Sequence, residues 1–300
     1  MWIGVDLGGT NLRIGVLNEE SSLIYKEQIE TRVERGPEAI VNDIHKMIEK
    51  AFDQYPKVQA VGIGVPGPLD SHLGIIKSPP HLTGWDNIPL KEKLEDVCPL
   101  PIHVENDAKV AALAEAWFGA GKGFDSVYYI TVSTGLGGAL ILNREIFHGL
   151  NGYAGEIGNM IIKSDGYKHS TLNIGALETL VSGTALSRMA KEQLGIEGGA
   201  KELCRLALKE NDKSAQDLLK TSISHLAMGI ANIAHVVNPS LFILGGGVVM
   251  GGGDWFLNEL KRQVVQYIFP EMNISIEKAS LGGDAGIIGA ALVGKTKYQK

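Results

Sequence analysis

Trp2-Ile3-Gly4-Val5-Asp6-Leu7-Gly8-Gly9-Thr10-Asn11-Leu12-Arg13-Ile14-Gly15-Val16 opens the chain with two apolar runs on either side of a short polar tip. The first run (Trp2, Ile3, Val5) and the second (Leu12, Ile14, Val16) read as the strands of a β-hairpin. Glycines at the tip let a ligand approach the backbone without Cβ interference, and the nearby N–H groups and the Thr10 hydroxyl can point at phosphate oxygens. Asp6, at the end of the first strand, is placed to face a metal. Mg²⁺ prefers oxygen ligands and retains several waters, so one carboxylate together with nucleotide phosphates suffices to hold it. Taken alone, D-x-G-G-T equally admits a carboxylate that only orders a polar hairpin.

The same grammar returns in the middle of the chain. Residues 127–132 read as a strand, Ser133-Thr134-Gly135-Leu136-Gly137-Gly138 as a hydroxyl- and glycine-rich tip, and 139–142 as the returning strand. An internal duplication of this kind argues for two similar lobes, each offering a phosphate-cradling hairpin to a shared cleft. Between the repeats lie a third antiparallel strand (23–29), a helix opened by Gly36-Pro37 with apolar residues at spacings of three and four, and a strand at 58–65 ending in Pro66-Gly67-Pro68. Residues 71–100, with Pro79, Pro80, Gly84 and Pro89 around Trp85, read as loop, either a pocket wall or a plain connector.

A short strand at 102–106 runs directly into the apolar helix 108–118, so Asn106 and Asp107 fall where strand becomes helix. Both residue types are favoured N-caps, and both also suit a site at a strand's carboxyl end. Further on, residues 151–159 form a glycine-rich stretch carrying Glu156, and Glu178 and Ser182-Gly183 precede a helical region that ends before Pro239. A buried strand at 241–244 delivers Gly245-Gly246-Gly247. A strand at 274–276 and a small-residue helix complete the pattern. Residues 289–296 match the P-loop spacing G-x-x-x-x-G-K-T, but a helix precedes the match and no helix can follow it. The glycine runs at 135 and 245 lack the last position of a dinucleotide fingerprint, which lowers a dehydrogenase reading.

A net charge of −6 leaves no basic footprint for nucleic acid, while backbone amides still serve a phosphorylated ligand without formal charge. Cys98 and Cys204 supply neither a disulfide framework nor a metal-ligand spacing, and buried free thiols are expected. No signal-peptide core or membrane-length apolar run is present, so a cytoplasmic protein without membrane association is expected.

With these pieces placed, the chain resembles the ROK sugar kinases (repressor, open reading frame, kinase), glucokinase-like enzymes of the actin/hexokinase superfamily. The resemblance rests on D-L-G-G-T-N-L-R at Asp6, G-I-G-V-P-G-P at Gly62, E-N-D-A at Glu105, S-T-G-L-G-G at Ser133, A-G-E-I-G at Ala154, L-E-x-x-x-S-G at Leu177 and L-G-G-G at Leu244. Each motif is weak by itself; their order and spacing carry the likeness.

The resemblance implies an α/β fold with two ribonuclease-H-like lobes around a central cleft. The expected lobes are 1–118 with the final helix 285–300, and 119–284. It implies a kinase for a hexose, glucose foremost, using ATP and Mg²⁺, with a homodimer as the expected assembly. Asp107 resembles the general base. Asn106, Asp107, Glu156, Asn159, Glu178 and Gly67 resemble the sugar-binding set. Asp6, Gly8, Gly9, Thr10, Asn11 and Arg13 look like the first phosphate loop with its Mg²⁺ carboxylate. Ser133, Thr134, Gly135, Gly137 and Gly138 look like the second, and Gly245, Gly246 and Gly247 like the adenosine contact.

The chain departs from the family at its structural zinc site. Where relatives carry histidine after A-G-E-I-G and then C-x-C-G-x-x-G-C, this chain has Asn159, His169, Thr171, Leu172 and Ala176, so no cysteine ligand survives and no zinc site is expected. The loop 159–174 is then expected either to be held by packing of Ile161, Ile162, Tyr167, Leu172 and Ile174 or to stay mobile until sugar binds. Other acceptors (fructose, an N-acetylhexosamine, a β-glucoside) fit the same motifs. A sugar-responsive repressor needs a helix-turn-helix ahead of the strand at Trp2, and a non-catalytic sugar sensor sits poorly with both Asp6 and Asp107.

Overall fold

The computed structural model describes residues 1–79 and 82–298; Pro80 of the expected loop and residues 299–300 of the expected last helix lie outside them. The chain divides into two compact units, Met1–Gly119 with Ser280–Lys300, and Ala120–Ala279.

In the first unit, strands β1 (Trp2–Leu7), β2 (Asn11–Leu17) and β3 (Leu23–Glu30) form an antiparallel meander. Helix α1 (Pro37–Gln54) leads to β4 (Ala60–Val65), which pairs parallel with β1. Pro37 sits in the first turn of α1, where its missing N–H costs nothing, and Ile40, Ile44, Met47, Ile48 and Ala51 form the buried stripe. The segment expected as loop instead contains three short antiparallel strands, β5 (Leu69–Asp70), β6 (Ile75–Ile76) and β7 (Ile88–Pro89), followed by α2 (Leu90–Glu95). Strand β8 (Ile102–Asn106) then runs parallel to β4 and passes into α3 (Asp107–Phe118). The main sheet has the order β3-β2-β1-β4-β8.

The two faces of this sheet are built differently. Ile3, Val5, Val61 and Ile63 point into a core shared with the apolar stripe of α1. On the other face Gly4 and Gly62 stand under the last helix of the chain (Ala285–Tyr298). A Cβ at Gly62 would lie 1.8 Å from the Ala290 carbonyl oxygen, and one at Gly4 would lie 2.0 Å from that of Ile287. Glycine therefore lets this helix rest on the strand backbone itself.

The second unit repeats the plan. Strands β9 (Ser126–Val132), β10 (Leu136–Leu142) and β11 (Glu145–Ile146) are antiparallel. Helices α4 (Glu178–Val181), α5 (Gly183–Leu194), α6 (Gly199–Lys209) and α7 (Lys213–Val236) precede β12 (Leu241–Gly245), and α8 (Gly247–Val264) precedes β13 (Ile276–Lys278). The order β11-β10-β9-β12-β13 matches that of the first unit strand for strand, with β12 parallel to both β9 and β13. Two strands differ from the sequence reading. The last strand begins at Ile276, where 274–276 was expected. The second hairpin tip is shorter than expected, since Gly137 and Gly138 pair with Thr131 and Ile130 inside β10.

Cys98 and Cys204 are buried free thiols. Among the described residues no helix is long and apolar enough to cross a membrane.

Candidate active site

The first hairpin closes at the Leu7–Leu12 pair, and its tip is fastened from behind. The Thr31 hydroxyl donates to the Gly8 carbonyl (2.6 Å), the Thr31 N–H to that of Thr10 (2.9 Å), and the Gly8 N–H to that of Asn11 (2.9 Å). With the carbonyls occupied at the back, no bond among the described residues takes up the N–H groups of Gly9 and Thr10. Such unengaged donors fit phosphate oxygens. Asp6 lies opposite Arg13 across the hairpin, 3.4 Å from its Nη1, and Arg13 also donates to the Gly283 carbonyl and to Gln28. Burial pushes the Asp6 carboxyl above its ordinary range, and the Arg13 charge pulls the other way. Asn11 heads β2 and accepts from Gln28.

Asn106 and Asp107 perform different tasks. The Asn106 side chain is the N-cap of α3, accepting from the Ala108 and Lys109 N–H groups, and its Nδ2 donates to the Gly67 carbonyl at 3.3 Å. It thereby ties the Pro66-Gly67-Pro68 turn to the helix start. Asp107 is the first helical residue, solvent-exposed, with Oδ1 accepting from the Ala108 N–H at 2.8 Å. This position lies at the end of the helix where the backbone N–H groups converge.

In the second unit the tip of Ser133, Thr134 and Gly135 is also fastened from behind. The Gly183 N–H donates to the Ser133 carbonyl (2.7 Å), and the Thr184 N–H (3.1 Å) and hydroxyl (2.9 Å) to that of Thr134. The Thr134 and Gly135 N–H groups take no bond among the described residues. Helix α5, capped by Ser182, starts beside this tip. Helix α8 starts beside it too: Gly245 ends β12, and a Cβ at Gly246 would lie 2.3 Å from the Val132 carbonyl oxygen. Helix N-termini and unengaged backbone amides are groups whose partial positive charge suits an anion.

Glu178, the first residue of α4, accepts from the Leu136 N–H through Oε2 at 2.8 Å, and its own N–H donates to the Gly158 carbonyl. Glu156 is exposed in the turn after Gly155. That turn is held against β10, where a Cβ at Gly138 would meet the Gly155 carbonyl oxygen at 2.6 Å. The Tyr128 hydroxyl donates to the same carbonyl (2.9 Å); burial, aided by the Glu156 charge, pushes its phenol well up.

The loop 159–174 is not held as the sequence reading expected. Ile161, Tyr167 and Ile174 are exposed, and of the expected anchors only Ile162 packs against the core. Hydrogen bonds hold it instead: two within the main chain, Ile162 N–H to Gly175 carbonyl (2.9 Å) and Leu177 N–H to Met160 carbonyl (2.8 Å), and one to a side chain, Asn173 N–H to Asn159 Oδ1 (2.9 Å). His169 Nδ1 accepts from the Thr171 and Leu172 N–H groups, and the Arg188 guanidinium covers the Tyr167 ring at 4.2 Å. Among the described residues no group of three or more His, Cys, Asp or Glu side chains is placed to hold a metal ion.

The ROK family profile matches residues 2–297. The chain belongs to the ROK family. This ROK chain is 34% identical to the glucokinase of Halalkalibacterium halodurans over 96% of its own length and 93% of that protein. The crystal structure of a ROK hexokinase from Thermus thermophilus superposes with a TM-score of 0.92 at 32% identity, covering 99% of both chains. A ROK glucokinase from Streptomyces griseus, solved in complex with glucose and AMPPNP, gives 0.81 at 32% identity over 98% of this chain and 99% of that one. These neighbours share the actin/hexokinase fold, which the matching strand orders of the two units express.

Thr31, Thr184 and Tyr128 escaped the sequence reading. Thr31 and Thr184 act through neighbours distant in sequence, and Tyr128 reads in sequence only as a strand residue. Thr184 alone had a local signal, the Ser182-Gly183 helix start just before it.

Proposed function

We propose that the chain transfers the γ-phosphoryl group of ATP to a hydroxyl of a hexose, glucose at its 6-hydroxyl being the first acceptor to test, with Asp107 as the base. It is an ATP-dependent sugar kinase. The observation that carries the assignment of the base is the division of labour at the start of α3: Asn106 caps the helix, which leaves Asp107 exposed at its first position. Phosphoryl transfer demands mainly positioning and charge neutralisation, together with one group to accept the acceptor's proton. In this reading Asn106, Glu156, Asn159, Glu178 and the Gly67 turn bind sugar hydroxyls. Gly8, Gly9, Thr10, Ser133, Thr134 and Gly135 bind phosphates, and Gly245, Gly246 and Gly247 lie toward the adenosine. The unengaged amides of both tips fit phosphate, and Asp6 would hold Mg²⁺ through water. Mg²⁺, when bound, would neutralise charge between the phosphates. A homodimer in the cytoplasm is the proposed setting.

The test is ADP release from ATP against a panel of glucose, fructose, mannose, N-acetylglucosamine, N-acetylmannosamine and a β-glucoside, run in parallel with Asp107→Asn. One hexose should stand out in kcat/KM. The variant should lose roughly 10²- to 10⁴-fold in kcat with little change in sugar affinity, since a carboxamide keeps a hydrogen bond but accepts no proton. Retention of most turnover by Asp107→Asn would reduce Asp107 to a structural residue, and no sugar-dependent ADP release would sink the kinase reading.

A further inference from the structure

We propose that Glu178 is also the positioning residue of the second phosphate loop, so that one carboxylate serves the sugar segment and the nucleotide loop together. The sugar half of this statement rests on the function proposed above; the nucleotide half rests on the geometry of the second unit.

The Leu136 N–H that donates to Glu178 Oε2 at 2.8 Å belongs to the residue immediately after the tip of Ser133, Thr134 and Gly135. That bond fixes where the tip ends and β10 begins. The carboxylate is held between two glycines, since a Cβ at Gly135 would lie 3.1 Å from Oε2 and one at Gly158 would lie 3.3 Å from it. Gly135 is in the phosphate tip, and Gly158 follows Glu156 by two residues in the segment assigned to the sugar. Glu178 is itself well anchored. Its N–H donates to the Gly158 carbonyl (2.9 Å), the preceding Leu177 N–H donates to that of Met160 (2.8 Å), and Thr179, Leu180 and Val181 of α4 are buried.

The second oxygen, Oε1, takes no hydrogen bond among the described residues. A backbone carbonyl would satisfy the Leu136 N–H equally well, but it would offer nothing further. A carboxylate can hold the loop with one oxygen and accept a sugar hydroxyl with the other. A sugar that draws on Oε1 then acts on the same group that sets the loop, which couples the two substrates.

The experiment measures binding of a non-hydrolysable ATP analogue with Mg²⁺ by calorimetry, without sugar, and separately KM for the sugar. Glu178→Ala should weaken analogue binding about tenfold, the scale of one lost charge-assisted hydrogen bond. Glu178→Gln, whose amide oxygen can still accept from Leu136, should bind the analogue within about twofold of wild type while its sugar KM rises. Glu156→Gln should raise the sugar KM alone. Analogue binding by Glu178→Ala equal to wild type overturns the proposal. Weakened analogue binding by Glu178→Ala together with an unchanged sugar KM in both Glu178 variants supports the loop role and overturns the shared one, removing Glu178 from the sugar set. If Glu178→Ala does not fold, Glu178→Asp decides, since its shorter side chain keeps the charge but falls short of Leu136: weaker analogue binding supports the proposal, and unchanged binding overturns it.

Discussion

Asn106 and Asp107 are adjacent, chemically similar and both suited to a helix start, so sequence alone leaves open which one caps. The structure separates them by a single step of the chain, with the cap at Asn106 and the exposed carboxylate at the first helical position. A similar separation holds around Glu156. The exposed carboxylate is the residue a sequence motif displays, whereas the bond that fixes its turn comes from Tyr128, a buried strand residue whose ring packs 6.0 Å from that of Phe242. Nothing local in sequence marks such a partner, because the contact joins residues 27 positions apart. Tyr128→Phe keeps the ring in the core and removes only the hydroxyl. It is expected to cost about 1 kcal/mol at the Gly155 turn, raising the sugar KM several-fold while the ATP KM stays level. In a Glu156→Gln background the added effect should largely disappear. A parallel rise in both KM values would show general loosening of the unit instead of positioning of Glu156.

The two hairpins, α1 and the strand-to-helix passage at α3 were legible because their periodicity and punctuation are local. Strands β5, β6 and β7 were not, since two-residue strands show no alternation and exist only through pairing with each other. The tip at Ser133 was drawn too long for a related reason: Gly137 and Gly138 look like loop residues, yet Gly138 is small so that the Gly155 turn can lie against β10. The same close approach under the last helix gives a direct test. Gly62→Ala places a methyl 1.8 Å from the Ala290 carbonyl, and only displacement of the helix relieves it. A loss of about 2–4 kcal/mol is expected, read as a lower denaturation midpoint of the full chain. An unchanged midpoint would mean that the helix is not seated on this strand. The loop 159–174 is the other element whose support differs from the packing expected, because most of the named apolar anchors are exposed while Asn159 and His169 accept hydrogen bonds from main-chain N–H groups within it. We expect purified protein to carry no stoichiometric zinc and to regain full activity after chelation once Mg²⁺ is restored. About one zinc per chain by elemental analysis would show ligands that the family's positions do not supply.

Both units are built on one strand order, and each also contains one half-buried histidine whose ring nitrogen has no partner among the described residues, Nε2 of His103 and Nδ1 of His225. Burial lowers the affinity of both rings for a proton. Lys91 and Lys297 reinforce this at His103 against the opposing charge of Glu95, and Lys163 does so at His225. The folded-state value is therefore depressed below the ordinary 6.5 for each. As pH falls through that ordinary value the unfolded chain takes up protons that the folded chain refuses, so stability declines from there down to the lowered folded value and is flat above. Carboxylates add to acid sensitivity in every protein, so the histidine share has to be isolated by comparison. The His103→Gln, His225→Gln double variant keeps polar groups at both positions and removes only the titration. Its melting temperature should fall less than that of the wild-type chain between about pH 7.5 and about pH 5.5, the interval that brackets the ordinary histidine value. Equal falls would show that neither buried ring resists protonation, and that acid loosens the two units through their carboxylates alone.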